Sequence, residues 1–440
     1  MKCFSKVLLS IVLLLSIPTM GQVHSVIKLN LNSSDGIYSK GDKVLITASC
    51  KGASADSLSV KLYKNGYPID EYSLPFSNQV AIIDSSFNST AAYFVEVGMK
   101  NGNFMPKQSL GFVVEPDGFK TGYQKPKDFN LYWKRLKKEL ESLKMQATLK
   151  PLEVSDKDRG NIECFDVEIN CLGPKPVRGY LAKPTNAKEK SLPIVILFRA
   201  AGVSGAWCRC QVGECVDNAK RGNGAISFDI NAHGMLNGQP NEYYQTLERG
   251  ELSNYWHKGI SSKDDYYFKW MYLRALRAIE YLTTLPEWDG KTILVIGESQ
   301  GGGQAAAVAG LDKRVTNVVL HVPAMLDFGG YKENRLSGWP QPKESNRGVD
   351  LEKLEAVLPY YDAALLLIGS KAEVHIEIGL IDTTCPASAL FSAVNGLKGG
   401  VIVNAVPYRS HQWPSGEYRT IWEQGVAKSR QTYINAVLSR

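Results

Sequence analysis

Two hydrophobic periodicities divide this chain. Between about His24 and Glu115 apolar and polar residues alternate: Ile27, Leu29 and Leu31 against Lys28, Asn30 and Asn32, then Leu58, Val60 and Leu62 running into Asn65-Gly66, then Tyr93, Val95 and Val97 ahead of Asn101-Gly102. A period of two buries one face of a strand, and Asn-Gly supplies the positive φ angles of a tight hairpin. Several short strands in a stretch of this length predict a small all-β, immunoglobulin-like sandwich over residues 22–115. Nothing in it clusters catalytic residue types, so it is expected to be dispensable for chemistry. Pro116-Asp117-Gly118 and Pro126 mark a linker, 116–127.

Beyond the linker the period lengthens. Asp128 is placed to cap a helix whose Phe129, Trp133, Leu136, Leu140 and Leu143 share one face. Short apolar runs at 193–198, 225–230, 292–296, 318–322, 374–380 and 401–406 then alternate with helical patterns, notably 264–282 and 417–438. Such strands with helices between them predict an α/β domain over 128–440, built on a mostly parallel sheet covered on both faces.

Gly297-Glu298-Ser299-Gln300-Gly301 lies between the run 292–296 and a helix of very small residues, Gly302-Gly303-Gln304-Ala305-Ala306-Ala307. A serine on a sharp strand-to-helix turn is held in a strained backbone with its hydroxyl exposed. Its flanking glycines let strand and helix approach, and the helix dipole faces any oxyanion formed there. A serine hydroxyl needs a base, and the base needs an orienting acid. Among the histidines, His24 belongs to the β-rich segment, His321 and His375 sit inside predicted strands, and His257 precedes a helix on the N-terminal side of the turn. His233 ends a strand in Asn231-Ala232-His233-Gly234 and competes to line the site, but His411, on a loop after a late strand, is the expected base. Asp382, directly after the run 374–380, is the expected acid, with Asp327 the alternative one strand earlier; Asp362 reads as a helix residue. In the loop after an early strand, Phe198-Arg199-Ala200-Ala201-Gly202, small residues let a backbone amide reach an oxyanion.

Composition narrows the setting. Met1-Lys2-Cys3-Phe4-Ser5-Lys6, the apolar run 7–17 and Thr19-Met20-Gly21 form the pattern of a secretory signal, too short for a membrane span. Residues 1–21 are therefore expected to be removed and the remainder exported to a periplasmic or extracellular space. No other stretch has the apolar length of a membrane span. Lys2 and Lys6 fall in the signal, which leaves +5 of the formal charge of +7. Basic residues are scattered apart from Lys134-Arg135-Leu136-Lys137-Lys138, a solvated helix face, so nucleic acid is not an expected partner. Cys208, Cys210 and Cys215 lack the second ligand pair of a structural zinc site, so no metal is expected, and in an exported chain a disulfide should close this loop. Cys164, Cys171 and Cys385 are expected to be packed. Trp207, Trp256, Trp339 and Trp413 fall in loops near the serine turn, where they are candidates to stack on a sugar.

Taken in series, residues 265–278, Gly297-Glu298-Ser299-Gln300-Gly301-Gly302, Val322-Pro323, Gly379-Leu380-Ile381-Asp382 with Cys385-Pro386, and His411 resemble the acetyl xylan esterase and cephalosporin-C deacetylase family from about Pro126 onward. The resemblance implies an α/β-hydrolase that removes acetyl groups from carbohydrates or related small esters with no metal or other cofactor. It implies Ser299, Asp382 and His411 as the triad and the amides of Gln300 and Ala201 as the oxyanion hole. Arg199, His233, Trp207 and Trp413 are then the expected substrate contacts. Compact members often form closed hexamers, so a homo-oligomer is among the expected states. Four positions depart from the family pattern. Glu298 stands where glycine is usual, Asn231-Ala232-His233 replaces Arg-Gly-Gln, Arg199-Ala200-Ala201 replaces His-Gly-Tyr, and Gln412 replaces a glutamate. They bear on substrate range and assembly more than on reaction class. Two other readings stay open: a serine peptidase of the dipeptidyl-peptidase type, which would need acidic residues for a peptide amino terminus, and a non-catalytic carbohydrate-binding protein.

Overall fold

In the computed structural model of the protein, residues 27–50, 57–75, 80–99, 107–345 and 348–440 are described. The expected signal at 1–21, His24 and the Asn101-Gly102 turn lie outside them. The N-terminal part holds strands β1 (Ile27–Leu31), β2 (Ile37–Tyr38), β3 (Lys43–Cys50), β4 (Ser57–Lys64), β5 (Tyr67–Pro75), β6 (Val80–Ser86), β7 (Ala91–Gly98) and β8 (Lys107–Val114). They form two sheets, β1-β3-β6 and β2-β8-β7-β4-β5. Alternation buries one face of each: Ile27, Leu29, Val44 and Ile46 meet Leu58, Val60, Tyr93 and Val95 in one core. Asn65 (φ 52°) and Gly66 (φ 91°) turn β4 into β5, as the hairpin signal predicts.

The rest of the chain is built on one sheet. Its strands are β9 (Ala147–Leu152), β10 (Ile162–Ile169), β11 (Val177–Pro184), β12 (Leu192–Phe198), β13 (Ile226–Ile230), β14 (Trp288–Glu298), β15 (Asn317–His321), β16 (Glu373–Gly379) and β17 (Val401–Val406). Their order is β17-β16-β15-β14-β12-β13-β11-β10-β9. Strands β12 to β17 run parallel, and β11, β10 and β9 extend the sheet antiparallel beyond β13. Both faces are covered. Ile194, Ile196, Ile293 and Val295 enter the main core with helices Tyr267–Leu282 and Gln300–Leu311. Their neighbours Val195, Leu294 and Ile296 face Ile434, Val437 and Leu438 of helix Lys428–Leu438. That is why these strands read as continuous apolar runs instead of alternating ones.

Local detail differs from expectation in three places. Asp128 stands at the N-cap of helix Phe129–Ser142, yet its carboxylate binds no helix amide; it pairs with Lys263 at 2.8 Å and accepts from Tyr360. The terminal helical stretch is broken into Gly416–Trp422 and Lys428–Leu438 by a π-helical turn at Glu423–Ala427. The expected disulfide is not formed: among the described residues all seven cysteines are free. Sequence spacing does not say where a sulfur points. Cys208 Sγ turns back to Gly205 O (3.0 Å), whereas Cys215 Sγ, on helix Val212–Ala219, meets Tyr180 O (3.1 Å).

The segment 116–127 packs onto the α/β part: Phe119 and Tyr123 join its core, and Gly122 N–H donates to Asp327 Oδ1 at 2.7 Å. The two parts also meet directly. Gly111 N–H donates to Pro407 O (2.7 Å), Leu336 N–H to Asn65 O (2.9 Å) and Tyr418 O–H to Leu29 O (3.0 Å). Among the described residues no helix is long and apolar enough to cross a membrane.

Candidate active site

β14 ends in the Gly297–Gly301 turn, where Ser299 has φ 53° and ψ −122°, a region that non-glycine residues rarely enter. The surroundings impose it. Ser299 N–H donates to His321 O (3.0 Å), and its carbonyl accepts from Ala324 N–H (2.8 Å) and Gly303 N–H (3.1 Å). A Cβ on Gly297 would lie 2.1 Å from Gly301 O, and one on Gly301 would lie 2.1 Å from Phe198 O. Only glycine fits at either position, so strand and helix close tightly around the serine.

His411 reaches Ser299 from the loop after β17. Its Nε2 lies 3.0 Å from Ser299 Oγ and its Nδ1 2.9 Å from Asp382 Oδ2. Asp382 follows β16, and its Oδ1 accepts from the N–H groups of Thr384 and Cys385, both at 2.8 Å. Those two amides leave Oδ2 for the imidazole. The alternative acid, Asp327, is engaged elsewhere, in a buried pair with Arg335 at 2.7 Å. Asp362 caps helix Ala363–Leu367 through Ala364 N–H at 3.0 Å.

Gln300 opens helix Gln300–Leu311, and the first N–H groups of a helix have no partner within it. With the dipole behind it, that amide suits a developing negative charge. Ala201 lies on the loop after β12, where its carbonyl accepts Trp207 Nε1–H at 3.0 Å. Tyr255, which the sequence did not bring forward, ties this loop to the helix. Its hydroxyl donates to Gln300 Oε1 and accepts from Gly202 N–H at 3.4 Å.

His233, expected at the substrate surface, is instead 2% exposed behind this loop. Its Nε2 meets Gly202 O at 3.0 Å and its Nδ1 meets Tyr267 Oη at 2.8 Å. A carbonyl can only accept, so the neutral ring carries its proton on Nε2 and accepts the tyrosine proton at Nδ1. Burial, reinforced by Arg274, pushes its pKa from about 6.5 down to about 3. The unfolded chain therefore binds the extra proton in that window. The stability His233 contributes is complete above pH 6.5 and is lost as pH falls towards 3, at up to about 1.4 kcal/mol per unit. Melting temperatures should fall from pH 6.5 to pH 4, and a His233→Gln protein, less stable at neutral pH, should show a shallower fall. Equal slopes would remove His233 from the linkage.

Asp382, Cys385 and His411 hold ligand-type atoms within 4.8 Å of one another. The carboxylate and imidazole already bind each other, and burial pushes the Cys385 thiol well up, away from the thiolate a metal requires. The Asp382–His411 pair suits proton transfer, with Cys385 packed beside it. Beneath it lies a cluster that pattern reading missed. Glu377 accepts from Arg409, from Arg430 (2.9 Å) and from Trp422 Nε1–H (2.6 Å), and Arg409 also reaches Glu298 at 3.3 Å. Of the expected substrate contacts, Arg199, Trp207 and Trp413 share one pocket of about 380 Å³. Arg199 is committed within it to buried Asp229 and to Glu214 (2.9 Å). Trp256 and Trp339 are not among its walls and pack on each other, ring centres 5.8 Å apart.

A serine elbow of this kind, at the end of a central parallel strand with helices on both faces, belongs to the α/β-hydrolases. Residues 115–420 match the acetyl xylan esterase (AXE1) family profile, and the chain belongs to that family of carboxylic ester hydrolases. It is 27% identical over 404 residues to the acetyl esterase Axe7A of Xylanibacter ruminicola, covering 88% of this chain and 86% of that protein. Among solved structures it resembles the acetyl xylan esterase from Paenibacillus sp. R4, with a TM-score of 0.60 at 24% identity. The acetyl xylan esterase from Thermoanaerobacterium sp. gives a TM-score of 0.57 at 20% identity. Each alignment covers 73% of this chain and 98% of the other. At those identities the two structures speak for the fold alone.

Proposed function

We propose that the mature chain is a secreted serine esterase that removes acetyl groups from xylan-derived oligosaccharides. Residues 1–21 are its export signal, 22–115 an immunoglobulin-like module, 116–127 the connection and 128–440 the esterase domain. One observation carries the chemistry: the His411 ring sits between Ser299 Oγ and Asp382 Oδ2, at 3.0 and 2.9 Å. His411 takes the Ser299 proton as Oγ attacks the ester carbonyl, Asp382 holds Nδ1–H, and the amides of Gln300 and Ala201 receive the oxyanion. His411 then gives the proton to the departing sugar oxygen, leaving acetyl-Ser299. A water deprotonated by the same imidazole attacks that ester, releases acetate and restores the serine.

Membership of the acetyl xylan esterase family, with a curated relative named an acetyl esterase, supports acetyl as the acyl group. Ala201 stands where the family usually has tyrosine, which widens the acyl side. Each further methylene shifts discrimination by only about 1–3 kcal/mol, so preference should be graded. The test is kcat/KM for aryl acetate, butyrate and octanoate, followed by acetate release from acetylated xylan and xylo-oligosaccharides. Preference for octanoate, or no acetate from any acetylated sugar, would overturn the substrate assignment.

The β-rich part, expected from sequence to be a bystander, touches the acid loop. A Cβ on Gly111 would lie 2.4 Å from Leu380 O, in backbone two residues before Asp382. Gly111→Ala should therefore shift that loop, lowering the melting temperature and cutting kcat by roughly tenfold or more with KM little changed. Wild-type kcat in the variant would restore the bystander view.

A further inference from the structure

We propose that Tyr255 is a positioning residue for the oxyanion hole: its hydroxyl sets the spacing of the Ala201 and Gln300 amides, and His233 braces it from behind. The proposal rests on the esterase reading of Ser299. Two N–H groups stabilise an oxyanion only if both point at the same oxygen. Here they sit on separate segments, the loop after β12 and the first turn of helix Gln300–Leu311. Among the described residues, the Tyr255 hydroxyl is the one side-chain group hydrogen-bonded to both segments. It donates to Gln300 Oε1 and accepts Gly202 N–H at 3.4 Å.

Each joint of this bridge is fixed. The peptide that follows the Ala201 amide has both polar atoms taken, Ala201 O by Trp207 Nε1–H at 3.0 Å and Gly202 N–H by Tyr255. Gly202 O is taken in turn by His233 Nε2–H at 3.0 Å, so three side chains hold the loop where the first donor sits. On the other side Gln300 is wholly buried. Its Nε2 has no partner among the described residues, which leaves Tyr255 as the polar contact that orients the side chain. Tyr255 itself is 1% exposed, with the His233 ring edge-on to it at 4.4 Å between centres and the Tyr267 ring at 5.3 Å. Burial pushes its phenol well above the usual range, so the hydroxyl stays protonated, the donor that Gln300 Oε1 requires. A side chain locked in this way can hold two donors to within about 0.5 Å, the tolerance that catalysis sets. Tyr255 and His233 thus act through the two amides and not on the ester.

The test is kinetic and uses the full chain. Tyr255→Phe keeps the ring packing and removes the bridge, so kcat on aryl acetate should fall about ten- to thirtyfold, with KM within about twofold. Phenylboronic acid supplies a second readout. Ser299 Oγ bonds to boron, the serine proton passes to His411, and one boron-bound oxygen occupies the oxyanion hole. Its inhibition constant should rise by about the same factor as kcat falls. Gln300→Met retains the amide and removes the acceptor, so it should lose a similar factor, and the double variant hardly more. His233→Leu should lower kcat as well, and His233→Gln, whose amide can still donate to Gly202 O, should recover part of it. The acid limb of the kcat–pH profile should keep its wild-type midpoint in Tyr255→Phe, because the base is untouched. A purely structural tyrosine would lower the melting temperature of that variant and leave kcat and boronate affinity at wild-type values, which would overturn the proposal. So would multiplicative losses in the double variant, or a displaced acid limb. Should Tyr255→Phe not fold, Gln300→Met and the two His233 variants decide the matter by the same readouts. If the wild-type chain neither hydrolyses aryl acetate nor binds the boronate, the esterase reading fails and the positioning role falls with it.

Discussion

Replacing Ser299 by alanine should lower kcat on aryl acetate by about 10⁴–10⁶ while the protein remains folded. His411→Ala should fall as far, and the double variant hardly further, because nucleophile and base act as one unit. Asp382→Asn should cost about 10⁴ for a geometric reason. Oδ1 accepts two backbone amides, from Thr384 and Cys385, so an asparagine would place its oxygen there and aim its NH₂ at His411 Nδ1. A donor facing Nδ1 forces the proton onto Nε2, where it can no longer accept from the serine. A fluorophosphonate probe should label the wild-type serine readily and the Asp382→Asn serine slowly. A folded Ser299→Ala protein with full esterase activity would end the mechanism. A wild-type chain that resists the probe would favour a binding protein over an enzyme.

Much of this site was legible because its signals are local or ordered along the chain. The glycines at 297 and 301 announce the elbow since no Cβ fits there, and Asp382 and His411 lie just beyond apolar runs that could only be buried strands. The β-rich part declared itself because one face of each sheet is solvated, so alternation survives in the sequence. By contrast β9 runs almost wholly exposed along the sheet edge, leaving no hydrophobic pattern to find. The break at Glu423–Ala427 is a single π-helical turn that abuts a helix on either side, so the sequence reads as one helical stretch. Tyr255 and Arg409 were missed for another reason: their partners lie 45 and 32 residues away, and nothing near either residue marks the contact. Glu298 drew notice only as a departure from a family pattern, and its partner Arg409 gives it a physical role.

That partnership leads to the second large effect, the removal of Arg409. Its side chain is buried among Glu377, Glu298, Trp413 and Trp422, and with Arg430 the cluster holds two cations and two anions. Arg409→Met would leave an excess negative charge beside the fully buried Glu377, a change that typically costs about 3–5 kcal/mol where a buried pair is broken. Glu377→Gln should be comparably destabilising through the opposite excess. The double variant retains Arg430 and Glu298, one charge of each sign, so it should lose less than the sum of the single changes by about 1–3 kcal/mol. Arg409 is also a positioning residue. Its carbonyl accepts Ile381 N–H at 3.2 Å, next to Asp382, its guanidinium reaches the residue before Ser299, and its backbone leads into His411. Loosening that anchor should lower kcat on aryl acetate with little change in KM, and Arg409→Lys should recover part of both stability and rate. Additive stability losses with an unchanged kcat would mean that the cluster serves neither to neutralise its own charges nor to hold the base loop against the elbow.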